Sequence, residues 1–147
     1  MSTRLYTIGF TKKSAEEFFG ALKKVRTATL IDIRLSNQSQ LAGFTKGRDL
    51  PYFLREICGA AYLHLPEWAP TQEILDAFKK KKGMTWETYE REFNGLLARR
   101  AIEKRAAALD LDRACLLCSE PTPEQCHRRL VAEYLAKRLP GLSVWHI

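Results

Sequence analysis

The chain has 147 residues, of which 46% are apolar and 28% charged, and its formal net charge is +7. This composition excludes a disordered chain, and the length predicts a single domain over residues 1–147. No apolar run approaches the ~20 residues that cross a bilayer and no secretory h-region is visible, so we expect no membrane association and a cytoplasmic location. The positive charge favours an anionic small molecule or nucleic acid as partner.

Strand and helix patterns alternate through the first part of the chain. Residues 5–8 predict a short buried strand, Ser14 with Glu17 forms a capping box that begins a helix, and residues 29–33 predict a second, β-branched strand. The polar stretch over residues 34–48 is long for a loop in a compact domain, which is typical of a binding loop or a lid.

The pattern continues with a helix over residues 50–58 and a third strand over residues 61–64. Residues 74–83 predict another helix, and helical character then runs over residues 85–109 with a break near Gly95 to Arg100. Residues 114–119 predict a fourth strand.

The last helix is expected to begin at Thr122, because Thr at the cap, Pro at the first position and Gln at the third form a strong helix start. Residues 143–147 predict a final strand. Alternating strands and helices predict an α/β fold, with a mostly parallel five-stranded sheet and helices on both faces. We expect the strand order 3-2-1-4-5. Ligands of such sheets bind beyond the carboxyl ends of the strands.

Polar and reactive side chains follow the predicted strands at that carboxyl edge. They are Asp32, Arg34, His64, Cys118, Glu120, Cys126, His127 and Arg128. Solvated charges alone would not collect so consistently at one edge, so we interpret this group as the candidate site.

The start of the last helix gives this group its chemistry. Cys126 and His127 each lie four residues before an apolar residue, so both are expected on the inner face, whereas Arg128 lies between faces. A helix N-terminus offers free amides and a partial positive charge, which favours a cysteine thiolate and suits a bound anion.

The remaining cysteines are expected to be structural. Cys115 and Cys118 lie three residues apart on a strand and therefore point to opposite faces, which makes Cys115 a core residue. Cys58 is interpreted as packing at a helix end. Arg129 lies four residues before Glu133 and is expected to form a surface ion pair.

Several of these segments together resemble the uncharacterised family DUF488. The segments are Thr7-Ile8-Gly9, Asp32-Ile33-Arg34, Tyr62-Leu63-His64, Cys118-Ser119-Glu120 and Cys126-His127-Arg128, with His146 near the end. The resemblance implies the fold and the site but no reaction and no cofactor. Family members often carry His where this chain has Phe10, and a Pro where it has residues 35–38.

Three functions are compatible with these residues. In the first, Cys118 or Cys126 is the nucleophile of an enzyme, with activation by His127 or His64. Glu120 or Asp32 would then orient the imidazole or move a proton. Arg34 and Arg128 would hold an anionic substrate such as a nucleotide or a nucleic acid.

The second function is a zinc or iron site built from Cys118, Cys126, His127 and His64. Neighbouring helical residues diverge by ~100°, which argues against Cys126 and His127 sharing one ion.

The third function is a non-catalytic module that binds nucleic acid or a protein partner. It would use basic residues that recur on the later helices, namely Arg99, Arg100, Lys104, Arg105 and Lys79 to Lys82. The sequence leaves the oligomeric state open.

Overall fold

The computed structural model describes residues 2–38, 42–79, 83–120 and 123–147. Its strands form one five-stranded sheet in which every pairing is parallel. The strands are β1 (Thr3–Gly9), β2 (Thr29–Asp32), β3 (Ala61–His64), β4 (Ala114–Cys118) and β5 (Leu142–His146). The predicted α/β fold with a parallel sheet is therefore confirmed.

The strand order is β3-β2-β4-β1-β5, so the predicted order 3-2-1-4-5 was wrong. The connection from β3 places β4 between β2 and β1, where it pairs with both strands. Every residue of β4 is buried, as expected for a strand that is covered on both faces and flanked on both edges. This order brings the ends of β1, β4 and β2 side by side, with Gly9 opposite Cys118 and Asp32 opposite Leu117.

Helices surround the sheet. They are α1 (Ala15–Lys24), α2 (Leu50–Phe53, continued by a π-helical turn over Leu54–Cys58), α3 (Gln72–Lys79), α4 (Trp86–Arg100), α5 (Ile102–Ala107) and α6 (His127–Arg138). The capping box of Ser14 and Glu17 is confirmed at the start of α1. Within the described ranges, none of these helices has the length and apolar character to cross a membrane.

Alternating side chains of the strands divide the interior into two apolar layers. Leu5, Ile31 and Leu116 pack with α4, α5 and α6, whereas Ile8 and Leu117 pack on the other face with α1 and α2. Because helices cover both faces, the sheet lies at the centre of three layers, as predicted.

The start of α6 differs from the prediction. Thr122 lies outside the described residues, but Pro123 to Gln125 are not helical and α6 begins only at His127. Cys126 is the N-cap, with an extended backbone at φ −131° and ψ 140°. A turn bond from the Cys126 amide to the Pro123 carbonyl holds this segment, so the Pro-containing stretch forms a turn before the helix instead of its first turn.

Candidate functional site

Two cysteines meet at the carboxyl edge of the sheet. Cys118 ends β4 and Cys126 caps α6, and their sulfur atoms lie at bonding distance from each other. Their Cα atoms are 7.6 Å apart. The relative exposure is 0% for Cys118 and 2% for Cys126, so both side chains form the floor of the site and not its rim.

His127 lies beside this pair. A ring nitrogen of His127 and the two sulfur atoms are all within 4.8 Å of one another. The ring contacts the Ile33 carbonyl oxygen at 2.7 Å through Nε2 and meets the edge of Phe93 at a centroid distance of 5.9 Å. Burial lowers the pKa of His127 to about 4, so the imidazole is uncharged near neutral pH. A neutral ring that donates through Nε2 keeps its lone pair at Nδ1.

The ~100° divergence expected between Cys126 and His127 does not apply. That argument assumed that both residues are helical, whereas Cys126 has an extended backbone and only His127 is in α6. The extended cap turns the Cys126 side chain back toward the imidazole that follows it, so the two can approach a common point.

Arg128 points inward and is completely buried, with 0% relative exposure. Its Nε donates to Thr7 Oγ1 at 3.2 Å, and its Nη1 donates to the Glu120 carbonyl at 2.5 Å. The same Nη1 lies 3.6 Å from Cys118 Sγ. Burial lowers the pKa of Arg128, but a guanidinium stays charged in proteins. A fixed cation therefore lies directly behind one of the two sulfurs.

The end of β1 completes this arrangement. Thr7 Oγ1 also contacts His146 Nδ1 at 2.5 Å, which links Arg128 to the last strand. A side chain at Gly9 would collide with the Glu120 carbonyl oxygen and lie 2.5 Å from Arg128 Nη1. Glycine at this position thus allows the backbone after β4 to approach β1 closely.

Asp32 and Arg34 form a buried ion pair. Arg34 donates to Asp32 through Nε at 2.8 Å and through Nη2 at 2.7 Å, and their relative exposures are 3% and 0%. The Tyr62 hydroxyl donates to Asp32 at 2.6 Å, and Arg34 Nη2 also donates to the Thr45 carbonyl. The Arg34 guanidinium lies 5.3 Å from the centroid of the Phe10 ring. Phe10 is therefore a neighbour of this ion pair.

His64 lies at the same edge but faces a different group. Its Nε2 is 2.8 Å from the Arg34 carbonyl oxygen, and its Nδ1 is 3.5 Å from Asn37 Nδ2. These contacts anchor the loop that follows β2. His64 is not among the residues that line the cleft above Cys118.

A cleft of about 180 Å³ opens above the two sulfurs. Its walls come from the loop after β2, from α3, from Tyr89 of α4 and from the segment before α6. The lining residues are Arg34, Leu35, Ser36, Gln72, Leu75, Phe78, Lys79, Tyr89, Cys118, Ser119, Glu120, Gln125, Cys126 and His127. Across this cleft, Lys79 Nζ contacts Glu120 Oε1 at 2.7 Å.

The structure thus brings together five of the predicted site residues in one cleft, namely Arg34, Cys118, Glu120, Cys126 and His127. Asp32 and Arg128 are buried behind its walls, and His64 lies behind the loop after β2. The contribution of α3 was not anticipated. Its apolar residues Leu75 and Phe78 are only partly buried and line the cleft, a degree of burial that the sequence does not show.

The other cysteines differ from this pair. Cys115 is fully buried on the opposite face of the sheet from Cys118, as predicted, and burial raises the pKa of its thiol. Cys58 is partly exposed, contacts the Phe19 carbonyl at 3.7 Å, and has a pKa that burial also raises. The expected ion pair of Arg129 with Glu133 is present at 3.1 Å.

The basic residues considered for nucleic-acid binding differ in their contacts. Arg100 donates to the backbone carbonyls of Glu67 and Ala69 at 2.6 and 2.7 Å, so it fastens α4 to the turn after β3. Arg99, Lys104 and Arg105 are exposed, whereas residues 80–82 of the lysine run lie outside the described residues.

Comparison with known families matches the chain to the model described as Domain of unknown function DUF488, over residues 14–135. The chain belongs to the DUF488 family. The resemblance inferred from the motifs is confirmed, and the matched range of the DUF488 domain includes every candidate site residue from Asp32 to Arg128. No curated protein and no solved structure matches the chain. The DUF488 description assigns no reaction, so the function is argued from the geometry of the site.

Proposed function

We propose that this DUF488 protein is a thiol enzyme in which Cys118 and Cys126 react as a pair with a small, anionic disulfide substrate. The observation that carries the proposal is the meeting of the two sulfurs, from two different structural elements, at the floor of a cleft. Structural cysteines are usually isolated in apolar surroundings, as Cys115 is. A converging pair that opens on a cleft suits thiol–disulfide exchange.

Two features of the site favour thiolates. Cys126 caps the 12-residue helix α6, whose N-terminus carries a partial positive charge. Arg128 Nη1 lies 3.6 Å from Cys118 Sγ, so a buried guanidinium compensates a negative charge on that sulfur. Cysteines near helix N-termini or arginines have lowered pKa values, and the thiolate is the reactive form.

His127 supports this chemistry as a neutral group. Because its pKa lies near 4, the ring does not compete with Arg128 as a cation. With Nε2 directed at the Ile33 carbonyl, the remaining nitrogen accepts a hydrogen bond from a thiol and orients it. Proton transfer then ends at water in the cleft, since so weak a base does not hold the proton.

The exchange has two balanced steps. The Cys126 thiolate attacks one sulfur of the substrate disulfide, which forms a mixed disulfide and releases the other substrate sulfur as a thiolate. The Cys118 thiolate then attacks Cys126 Sγ and expels the second substrate thiolate. The substrate gains two electrons and the cysteine pair loses two, and an external thiol reduces the pair again.

The net positive charge of the chain supports the choice of an anionic substrate. The chain carries +7, which steers anions toward the protein. Inside the cleft the charged side chains are already paired, Arg34 with Asp32 and Lys79 with Glu120. Substrate carboxylates would therefore compete with Glu120 for Lys79 at the rim.

The test compares two substrates of opposite charge. Reduced protein is mixed with glutathione disulfide, which is anionic, or with cystamine, which is cationic, and thiol release is followed over time. We expect faster release from glutathione disulfide, no rapid phase in Cys126→Ser, and an accumulated mixed disulfide on Cys126 in Cys118→Ser. Cys58→Ser is the matched control and should react as the parent does.

A rapid phase that persists in Cys126→Ser, or that disappears in Cys58→Ser, would refute the proposed reaction centre. Equal rates with the two disulfides across low and high salt would refute the anionic preference alone.

A further inference from the structure

We propose that Cys118, Cys126 and His127 form a site for one zinc ion when the two cysteines are reduced. Their three ligand atoms all lie within 4.8 Å of one another. Around a tetrahedral zinc with Zn–S bonds of about 2.3 Å and a Zn–N bond of about 2.0 Å, ligand atoms are separated by roughly 3.5–3.8 Å. Small side-chain rotations therefore bring the three atoms onto one ion.

The backbone spacing fits an ion between the sulfurs. The Cα atoms of Cys118 and Cys126 are 7.6 Å apart. Disulfides usually join Cα atoms about 4.4–6.8 Å apart, so this separation is longer than is usual for a direct sulfur–sulfur bond. A zinc ion replaces one sulfur–sulfur bond by two metal–sulfur bonds, and this longer bridge also suits the observed separation.

The surroundings hold two of the ligands in the required orientation. His127 directs Nε2 to the Ile33 carbonyl at 2.7 Å, which leaves Nδ1 as the ligand nitrogen. Metal-binding histidines commonly make such a bond with the nitrogen that does not bind the metal. Arg128 donates to Cys118 Sγ at 3.6 Å and partly offsets the negative charge of the two thiolates.

The fourth position of this ion would face the cleft. Cys118, Cys126 and His127 all line it, and Glu120 stands on the same wall in its ion pair with Lys79. Three protein ligands with an open fourth position are typical of catalytic zinc, whereas structural sites are closed by four. The ligand in that position would be water.

Metal binding and oxidation exclude each other, because a disulfide uses the electron pairs and the positions that bind zinc. The site is therefore filled only in the reduced protein, and oxidation to the Cys118–Cys126 disulfide releases the ion. This inference requires only that the two thiols be reducible, and it does not depend on the exchange reaction proposed above.

The experiment uses the full chain, reduced and stripped of metal under anaerobic conditions. Zinc is titrated against a chromophoric chelator, and cobalt(II) is used as a spectroscopic probe. We expect one zinc per chain and, with cobalt, near-ultraviolet sulfur-to-metal charge transfer together with the strong visible bands of tetrahedral geometry. Prior oxidation of the protein should abolish both signals.

Variants locate the ligands. Cys118→Ser, Cys126→Ser and His127→Gln should each weaken zinc binding by at least about 100-fold, more than the roughly 10–100-fold of an outer-shell change. Cys58→Ser and Cys115→Ser are the matched controls and should bind as the parent does. Circular dichroism confirms that each variant is folded, and the cobalt charge-transfer intensity of the parent gives a readout that needs no variant.

Absence of stoichiometric zinc binding by the reduced parent would overturn the inference. Unchanged binding in His127→Gln, or binding lost in Cys58→Ser, would overturn the ligand assignment. If the reduced protein binds zinc but catalyses no disulfide exchange, the zinc site is supported and the proposed thiol–disulfide exchange activity is refuted.

Discussion

Removing the charge of Asp32 should destabilise the fold strongly. Asp32 accepts hydrogen bonds from Arg34 at 2.7 and 2.8 Å and from Tyr62 at 2.6 Å, and its side chain has no exposed surface. Asp32→Asn keeps the size of the side chain but leaves the Arg34 guanidinium, which is only 3% exposed, without its counter-charge.

The magnitude follows from the burial of the pair. Breaking a buried ion pair by removing one partner costs about 3–5 kcal/mol, because the remaining charge stays desolvated. For a chain of this length each kcal/mol lowers the melting temperature by about 2–4 °C, so we expect a decrease of about 6–20 °C. Domains have total stabilities of about 5–15 kcal/mol, so the expected cost is a large fraction of the total and the comparison is made at low temperature.

Urea unfolding followed by circular dichroism measures the change. We expect a lower midpoint with an unchanged m-value, which indicates lost stability and not a changed denatured state. Tyr62→Phe removes one hydrogen bond to the same carboxylate and should cost only about 1 kcal/mol. Glu133→Gln, which breaks the partly exposed pair with Arg129, should cost about 0.3–0.5 kcal/mol. If Asp32→Asn costs no more than Glu133→Gln, the account of a buried ion pair is wrong.

Further predictions concern the thiols, the close approach of β1 and the response to pH. In reduced, metal-free protein, brief alkylation followed by mass spectrometry should label Cys126 before Cys58, because a helix N-terminus favours thiolate while burial raises the pKa of Cys58; the reverse order would contradict this. Gly9→Ala should destabilise by about 1–3 kcal/mol in urea unfolding, because its new methyl group overlaps the Glu120 carbonyl; an unchanged midpoint would exclude the close approach. Burial lowers the pKa of His127 to about 4 and also lowers that of His146, so the unfolded chain binds protons that the folded chain does not, and the free energy of unfolding falls as pH decreases below about 6.5. His127→Gln should remove most of this slope and His146→Gln a smaller part, and a slope unchanged in both variants would show that another group is responsible.

The sequence predicted that the residues following the strands would lie near one another, because parallel strands place their carboxyl ends at one edge of the sheet. That rule alone brought Cys118 of β4 and Cys126 before α6 into one group, and the structure places their sulfurs together. The strand order could not be predicted in the same way, because the apolar pattern of a strand does not show which strands lie next to it in the sheet. Only the complete burial of β4 indicates its central position.

Some contacts could not be predicted because a side chain's partner lies far away in sequence. Arg34 lines the cleft as expected of a binding residue, and its guanidinium also binds Asp32 and the Thr45 carbonyl. The partner Thr45 ends a short 3-10 helix over Gly43–Thr45, whose position no periodicity predicts. Arg128 was left between two helix faces, and its inward direction depends on Thr7 and on the close approach allowed by Gly9. Such contacts arise from tertiary packing, which local patterns do not encode.

The most direct test of the central claim is the disulfide connectivity of the mildly oxidised native protein. The protein is treated with a small excess of oxidised glutathione, alkylated, and digested without reduction, and the linked peptides are identified by mass spectrometry. We predict one intramolecular link, between Cys118 and Cys126, with Cys58 and Cys115 recovered as alkylated thiols. Recovery of Cys118 and Cys126 as free thiols, or a link that includes Cys58, would contradict the assignment of the pair as the reaction centre.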